Sequence, residues 1–320
     1  MIELAPNRKQ GLAIARPVMA AAGATGFGGE AGDLVTLERL GALVTAPISL
    51  RPRRGNGPPR IAPLPGGMLL STGEQNAGWR RVAEQHGGAW ARSRVPVIAH
   101  ILGRTSLGEL ARRAEGTRGI AALEFDLEAL DALPLLAALR RATELPVLVR
   151  LPYQGAGLAL RAVDAGADAL VCISPPRGTA GVGDASAALN DSGVRAARAE
   201  DAAAPGGGSG AGLKPANLPV RHAEELTPER GDSGRTQLIA GRVFGPLVLP
   251  LALQTLRETL AEVGALAPAV PLIACGGVHT AADVELLLAA GASAVMVDSL
   301  AWVAPRALNA LLARDYGLSK

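Results

Sequence analysis

Eight short apolar runs recur along this 320-residue chain, each followed by a stretch of helical pattern. The runs are PVMAAAG (Pro17 to Gly23), ALVTAPISL (Ala42 to Leu50), VPVIAHILG (Val95 to Gly103) and GIAALEFD (Gly119 to Asp126), then PVLVRLP (Pro146 to Pro152), DALVCIS (Asp168 to Ser174), PLIACGG (Pro271 to Gly277) and SAVMVDS (Ser293 to Ser299). Strands that are apolar almost throughout are buried on both faces, as in a parallel sheet covered by helices. Eight β–α alternations predict a (β/α)8 TIM barrel. The competing architecture is an open doubly wound sheet, which calls for a glycine-rich turn after the first strand and fewer strands. The length suits one barrel domain over residues 1–320.

The segments between the runs carry helix signals. SLGELARRAEGT begins with Ser106 as N-cap, and EALDALPLLAALRRAT ends in arginines, which suit a helix C-terminus. LALRAVDAGADA and ADVELLLAAGASA each close on a glycine C-cap before the next strand. Two segments fall outside the alternation. IELAPNRKQGLAIARP predicts a hairpin plugging the N-terminal end of the barrel. Gly178 to Gly234 is low-complexity, rich in Gly, Ala, Ser and Pro, and predicts a flexible insertion after strand 6. Its place at the catalytic end makes it either a lid or a tolerated disordered insertion.

Composition narrows the function classes. Hydrophobic residues make up 48% and aromatics 2%, so the core is built of Ala, Val, Leu and Ile. The net charge is +3 and there are only three lysines, Lys9, Lys214 and Lys320. No basic face with interleaved aromatics is present, which argues against nucleic acid as a partner. RPRRG (Arg51 to Gly55) reads as a solvated loop. Cys172 and Cys275 both sit inside apolar runs, as core residues rather than a disulfide or reactive thiols, and fit a reducing cytoplasm. The first ten residues lack the apolar stretch of a signal peptide, and no run reaches the ~20 residues of a membrane span. No His/Cys/Asp/Glu cluster has metal-ligand spacing, and HTAAD (His279 to Asp283) reads as a helix start.

In a barrel, function sits at the C-terminal ends of the strands. Here those positions are Gly23, Thr45 to Pro47, His100, Glu124, Asp126, Arg150, Ser174, Gly276, Gly277, Asp298 and Ser299. Gly276 and Gly277 expose backbone amides toward the strand 7–8 corner, where barrels bind phosphate. His100 alternates with Ile98 and Leu102 and points into the barrel, as a hydrogen-bonded core histidine or a catalytic one. Glu124 and Asp126 share a strand face, as a new acidic centre beside Arg150 or a structural ion pair between strands 4 and 5.

Five stretches together resemble one family. ARPVMAAAG is similar to its first strand. Pro52 to Gly78, PRRGNGPPRIAPLPGGMLLSTGEQNAG, resembles its proline-rich substrate loop. GADALVCISPPRG resembles its strand 6, and GRVFGPLVLPLAL (Gly241 to Leu253) its GGLSGPAIKPIAL stretch. IACGGVHTAADVELLLAAGASAVMVDSLAW resembles its phosphate-binding unit. The family is that of the dihydroorotate dehydrogenases, FMN-dependent barrels that oxidise dihydroorotate to orotate in pyrimidine biosynthesis. The resemblance spans Ile2 to about Trp302. It implies FMN as cofactor on Gly23, Thr45, Arg150, Ser174, Gly245, Gly276, Gly277 and Ser299. It implies substrate contacts at Gln75 and Asn76.

The departures from the family pattern are as informative. Ala46 stands where the resemblance implies a lysine after strand 2, and Leu70 where it implies an asparagine. Asp126 replaces the substrate asparagine of strand 4, and Ala129 replaces the Cys or Ser base. Arg150 replaces the flavin lysine, Ser174 and Pro175 an Asn-Thr pair, and Asp298 the phosphate-binding glycine. A positioned base is worth ~10²–10⁴-fold in proton abstraction, which Ala129 does not supply; Asp126 is the carboxylate left as catalytic candidate. A carboxylate ~4 Å from a phosphate costs ~4 kcal/mol per charge pair at an effective dielectric of about 20. The expectation is an FMN oxidoreductase of this family with altered or reduced activity on a small-molecule substrate and with FMN weakened by Asp298. The alternative is a catalytically inactive barrel that binds a partner or a metabolite. Either admits a homodimer or a partner protein.

Overall fold

The structure, a computed structural model, describes residues 1–30, 34–182, 237–264, 267 and 269–317. The chain divides into two units, Met1–Gly178 with Ala240–Lys320, and Thr179–Ile239. The first unit contains a closed barrel. Its strands are β1 (Val18–Ala20), β2 (Leu43–Val44), β3 (Val97–Leu102), β4 (Ile120–Asp126), β5 (Val147–Arg150), β6 (Ala169–Cys172), β7 (Leu272–Cys275) and β8 (Ala294–Val297). All neighbours are parallel. β8 returns to β1 through Val295↔Val18 and Val297↔Ala20, and β2 meets β3 through Leu43↔Val97. Closure removes the open doubly wound alternative, because no strand of the ring is left as an edge.

Helices cover the outside: α1 (Trp79–Trp90), α2 (Leu107–Glu115), α3 (Leu133–Ala142), α4 (Ala159–Asp164), α5 (Leu249–Val263) and α6 (Ala281–Ala289), with α7 (Leu300–Val303) and α8 (Pro305–Leu312) after β8. In α2 the buried residues Leu107, Leu110, Ala111 and Ala114 follow the spacing of one helix face. They join outward-facing Val97 and Leu123 of the strands in one apolar layer. Each fully buried Leu or Val there is worth about 1.5–3 kcal/mol. Ser106 stands at the N-cap of α2 as expected, but its hydroxyl makes no capping bond. HTAAD does start a helix. Thr280 Oγ1 accepts from the Asp283 N–H, and the Asp283 carboxylate accepts from the Thr280 N–H in return.

The second apolar run is broken. Ala46 N–H donates out of the sheet to Gly26 O at 2.8 Å, and Pro47 has no N–H to give. The strand resumes only at Ile48–Ser49, beside Ile101 and Leu102 of β3.

The barrel interior is filled by Met19, Val44, Ile98, Leu148, Val171 and Ile273, and Leu4, Leu12 and Ile14 belong to the same buried cluster. The expected hairpin therefore plugs the barrel, Ile2–Glu3 pairing antiparallel with Ala13–Ile14. A buried carboxylate fastens it. Asp168, just before β6, accepts from Arg8 Nε at 2.6 Å, Arg140 Nη1 at 3.1 Å and Val147 N at 2.8 Å.

The proline-rich loop contributes an antiparallel hairpin, Ile61–Leu64 with Gly67–Leu70. The strand Gln237–Phe244 adds to it through Arg242↔Leu70 and Phe244↔Met68. The sequence reading did not anticipate that pairing. Of the second unit, Thr179–Val182 and Gln237–Ile239 are described, as strand residues. The flexible insertion and lid expected over Gly178 to Gly234 lie outside the described residues from 183 onward.

Candidate functional site

The parallel register of β3, β4 and β5 sets His100 opposite Glu124, and Asp126 opposite Arg150. Side chains two residues apart on a strand share a face, so Glu124 and Asp126 both point into the barrel, one layer above the other. Glu124 is wholly buried and His100 and Arg150 almost so. An ionised group there must be paired. Glu124 Oε2 lies 2.6 Å from His100 Nδ1, and Glu124 Oε1 lies 3.3 Å from Arg150 Nε. The second contact is an ion pair without hydrogen-bond alignment, since neither atom has a hydrogen-bond partner. Arg150 Nη2 instead donates to Cys275 Sγ at 3.3 Å and reaches Met296 Sδ at 3.7 Å. Burial alone would lower the Arg150 pKa. The negative charges of Glu124, Asp126 and Asp298 and the Cys275 sulfur reverse that, and the guanidinium stays charged.

Asp126 sits at the upper edge of this group. Its Oδ2 accepts from Arg242 Nη2 at 3.0 Å, its Oδ1 accepts from Ser174 Oγ at 3.3 Å, and Arg150 Nε lies 3.9 Å away. Burial pushes its pKa up. The charges of His100, Arg150 and Arg242 and the Ser174 hydroxyl outweigh that and hold it below the usual carboxylate value. A depressed pKa makes a weak base at neutral pH. Arg242 also approaches Glu128 at 3.4 Å and Glu74 at 3.8 Å, so one guanidinium gathers carboxylates from the loop after β4 and from the proline-rich loop. Arg242 was missed as a site residue. A lone arginine in an apolar stretch carries no periodic signal, and its strand pairing is long-range.

The other expected site residues are distributed as follows. Thr45, fully buried after β2, accepts from His100 N–H at 3.2 Å and donates to Ala46 O at 3.0 Å. Gly23 follows β1 with φ +75°, and its carbonyl accepts from Trp302 Nε1 at 3.4 Å. Gly245 packs against the hairpin turn, where a Cβ would come 2.5 Å from Gly67 Cα. Asn76 is buried and spent on its own loop, its Oδ1 accepting from Ser49 N, Ser49 Oγ and Gly78 N. Gln75 accepts from Arg60 Nη1 at 2.6 Å. Ala129 is exposed and begins the short 3-10 turn Leu130–Ala132. Cys172 and Cys275 are buried free thiols.

At the β7–β8 corner, Gly276 and Gly277 have φ of +109° and +79°. The space that a Cβ on Gly277 would take is already held by the backbone of Leu249, 2.2 Å away at N, at the start of α5. Asp298 is buried there. Its Oδ1 accepts from both Ser299 N and Ser299 Oγ, the latter at 2.9 Å. Ser299 Oγ lies 3.5 Å from His279 Nε2. The corner thus has the frame of an anion site, but a carboxylate of the chain takes its nearest donors. The residues present do not fit the phosphate of FMN. Among the described residues no helix is long and apolar enough to cross a membrane.

A family model described as dihydroorotate dehydrogenase matches residues 7–124 and 226–310. Several curated relatives are named dihydroorotate dehydrogenase B (NAD(+)), catalytic subunit. That of Pelobacter propionicus is 31% identical over 316 residues, 93% of this chain and 87% of the relative. That of Desulforudis audaxviator is 31% identical over 322 residues, 95% and 88%. That of Trichlorobacter lovleyi is 31% identical over 315 residues, 92% and 87%.

Proposed function

Because the chain belongs to the dihydroorotate dehydrogenase family, oxidoreductases of pyrimidine biosynthesis, we propose that it is an oxidoreductase acting on dihydroorotate or a close analogue at a lowered rate. The observation that carries the lowered rate is the pairing of Asp126. Ala129 has no proton-accepting group, and Asp126 is the carboxylate at the C-terminal end of β4. Its depressed pKa and its bonds to Arg242 and Ser174 make it a reluctant base. A bound flavin would supply the acceptor for the hydride. Arg150 is the cation nearest the strand ends that could favour an anionic ring edge, but Glu124 and Asp126 already claim it. Gly23, Thr45 and Ser174 are the positions proposed to line the ring, and Gln75 and Asn76 to hold the loop that covers substrate.

Because the relatives are named as catalytic subunits, we assign this chain a partner subunit as well. The test is direct. The purified protein is scanned for flavin absorbance and assayed for dihydroorotate-dependent dye reduction with flavin in excess. The reading expects flavin uptake and turnover well below the ~10 s⁻¹ typical of enzymes. Turnover at that scale would overturn the lowered rate. A colourless protein that takes up no flavin and copurifies with another polypeptide would favour an inactive binding subunit instead.

A further inference from the structure

Barrels receive phosphates at the corner after strands 7 and 8, on backbone amides near a short extra helix. Three observations weigh against a phosphate at that corner here. The first is the carboxylate of Asp298, only 3% exposed, whose Oδ1 takes both the N–H and the hydroxyl of Ser299. An arriving phosphate would have to displace a covalently tethered anion and then share the space with it. The second is steric. Leu249 N and Val248 Cγ1 stand 2.2 Å and 3.0 Å from the points where Gly277 and Gly276 would carry a Cβ. The packing of α5 against the strand ends is thus reason enough for glycine at both positions, without a phosphate. The third is charge balance. Glu124, Asp126 and Asp298 bring three carboxylates to the upper barrel against the guanidiniums of Arg150 and Arg242. Both guanidiniums are already engaged, Arg150 with Glu124 and Arg242 with Asp126, Glu128 and Glu74. Among the described residues Asp298 has no ion-pair partner. The His279 imidazole lies at the corner, between Gly277 O at 3.3 Å and Ser299 Oγ.

We infer that Asp298 is a specificity-determining residue that shuts this corner to phosphate, so that the flavin accepted by the barrel is the unphosphorylated ring system with its ribityl chain rather than the mononucleotide. The inference rests on the reading that the mouth holds a flavin. Like charge at ~4 Å and an effective dielectric near 20 corresponds to about a thousandfold in affinity, which is the scale of discrimination expected against a buried phosphate.

Riboflavin and FMN differ only in that phosphate, so they are the probes. Each is titrated by fluorescence quenching into the full-length protein, Asp298→Gly and Asp298→Asn. The asparagine variant keeps an acceptor for Ser299 and guards against a folding defect of the glycine variant. The wild-type protein is expected to bind FMN no tighter than riboflavin. Both substitutions should tighten FMN by roughly ten- to a thousandfold at low salt and leave riboflavin within about twofold. A wild-type protein that prefers FMN by about tenfold or more overturns the inference and leaves the flavin reading standing. Variants whose FMN affinity does not move, while riboflavin binds, overturn it equally. If none of the three proteins binds either flavin, the cofactor reading and the inference fall together.

Discussion

Glu124 Oε1 stands 3.3 Å from Arg150 Nε inside the barrel, while its other oxygen lies 2.6 Å from His100 Nδ1. One wholly buried carboxylate thus compensates a guanidinium and orients an imidazole. Breaking such a buried pair costs about 3–5 kcal/mol, whereas exchanging both partners for apolar groups of similar volume is often neutral. Glu124→Gln should therefore destabilise the protein by about that much, and Glu124→Leu combined with Arg150→Met by clearly less. Urea unfolding of the single and double variants checks this. Additive losses would show that the pair is not coupled.

Asp126 links the mouth to acid. Its folded pKa lies below the ordinary carboxylate value, because the charges of His100, Arg150 and Arg242 and the Ser174 hydroxyl outweigh the effect of burial. A group depressed in the folded state contributes stability that is present above its unfolded pKa of about 3.9 and is lost as pH falls through the folded value. The stability difference between the wild-type protein and Asp126→Asn should be constant from neutrality down to about pH 5 and shrink below pH 4. Thermal unfolding across that range measures it. A difference that grows on acidification would mean the carboxylate is raised, not depressed.

The two thiols should be silent. Burial pushes Cys172 and Cys275 up to about 12, so neither is a thiolate at neutral pH, and the thiolate is the reactive form. A chromogenic disulfide reagent should report no fast thiol in the native protein and two after denaturation. One fast native thiol would show that the barrel top opens.

Ala129 offers a gain-of-function test. Ala129→Cys places a titratable group at the start of the 3-10 turn Leu130–Ala132. If the lowered rate comes from the missing base, dihydroorotate-dependent dye reduction should rise by ~10²–10⁴-fold toward alkaline pH. An unchanged rate would place the defect elsewhere, in Arg150 or at the β7–β8 corner.

Much of the fold was legible because the eight apolar runs carry it directly. Seven became single strands at nearly the expected places, and closure followed from their number. The second run broke where Pro47 lacks an N–H and Ala46 turns its own toward Gly26, a tertiary detail that apolar content does not encode. Thr280 and Asp283 announced their helix through local chemistry alone. An ion pair between strands 4 and 5 is present, made by Glu124 with Arg150. The strand Gln237–Phe244 was not legible. Its partner, Gly67–Leu70, is remote in sequence, and its alternation of small, apolar and charged residues matches no simple period. Arg242 was hidden with it. Its guanidinium gathers Asp126, Glu128 and Glu74, three carboxylates far from it in sequence.

The ring of strands is completed by the contact of Val18 with Val295, one near each end of the chain. A ribosome delivers the first of these long before the last. Until β8 emerges, the nascent barrel is a curled sheet with two open margins, one of them β1 itself. Unpaired strand margins recruit other chains. The interval between translating β1 and translating β8 is therefore the period in which this protein is most exposed to misassembly, and slowing the ribosome along that stretch should lower the yield of native molecules.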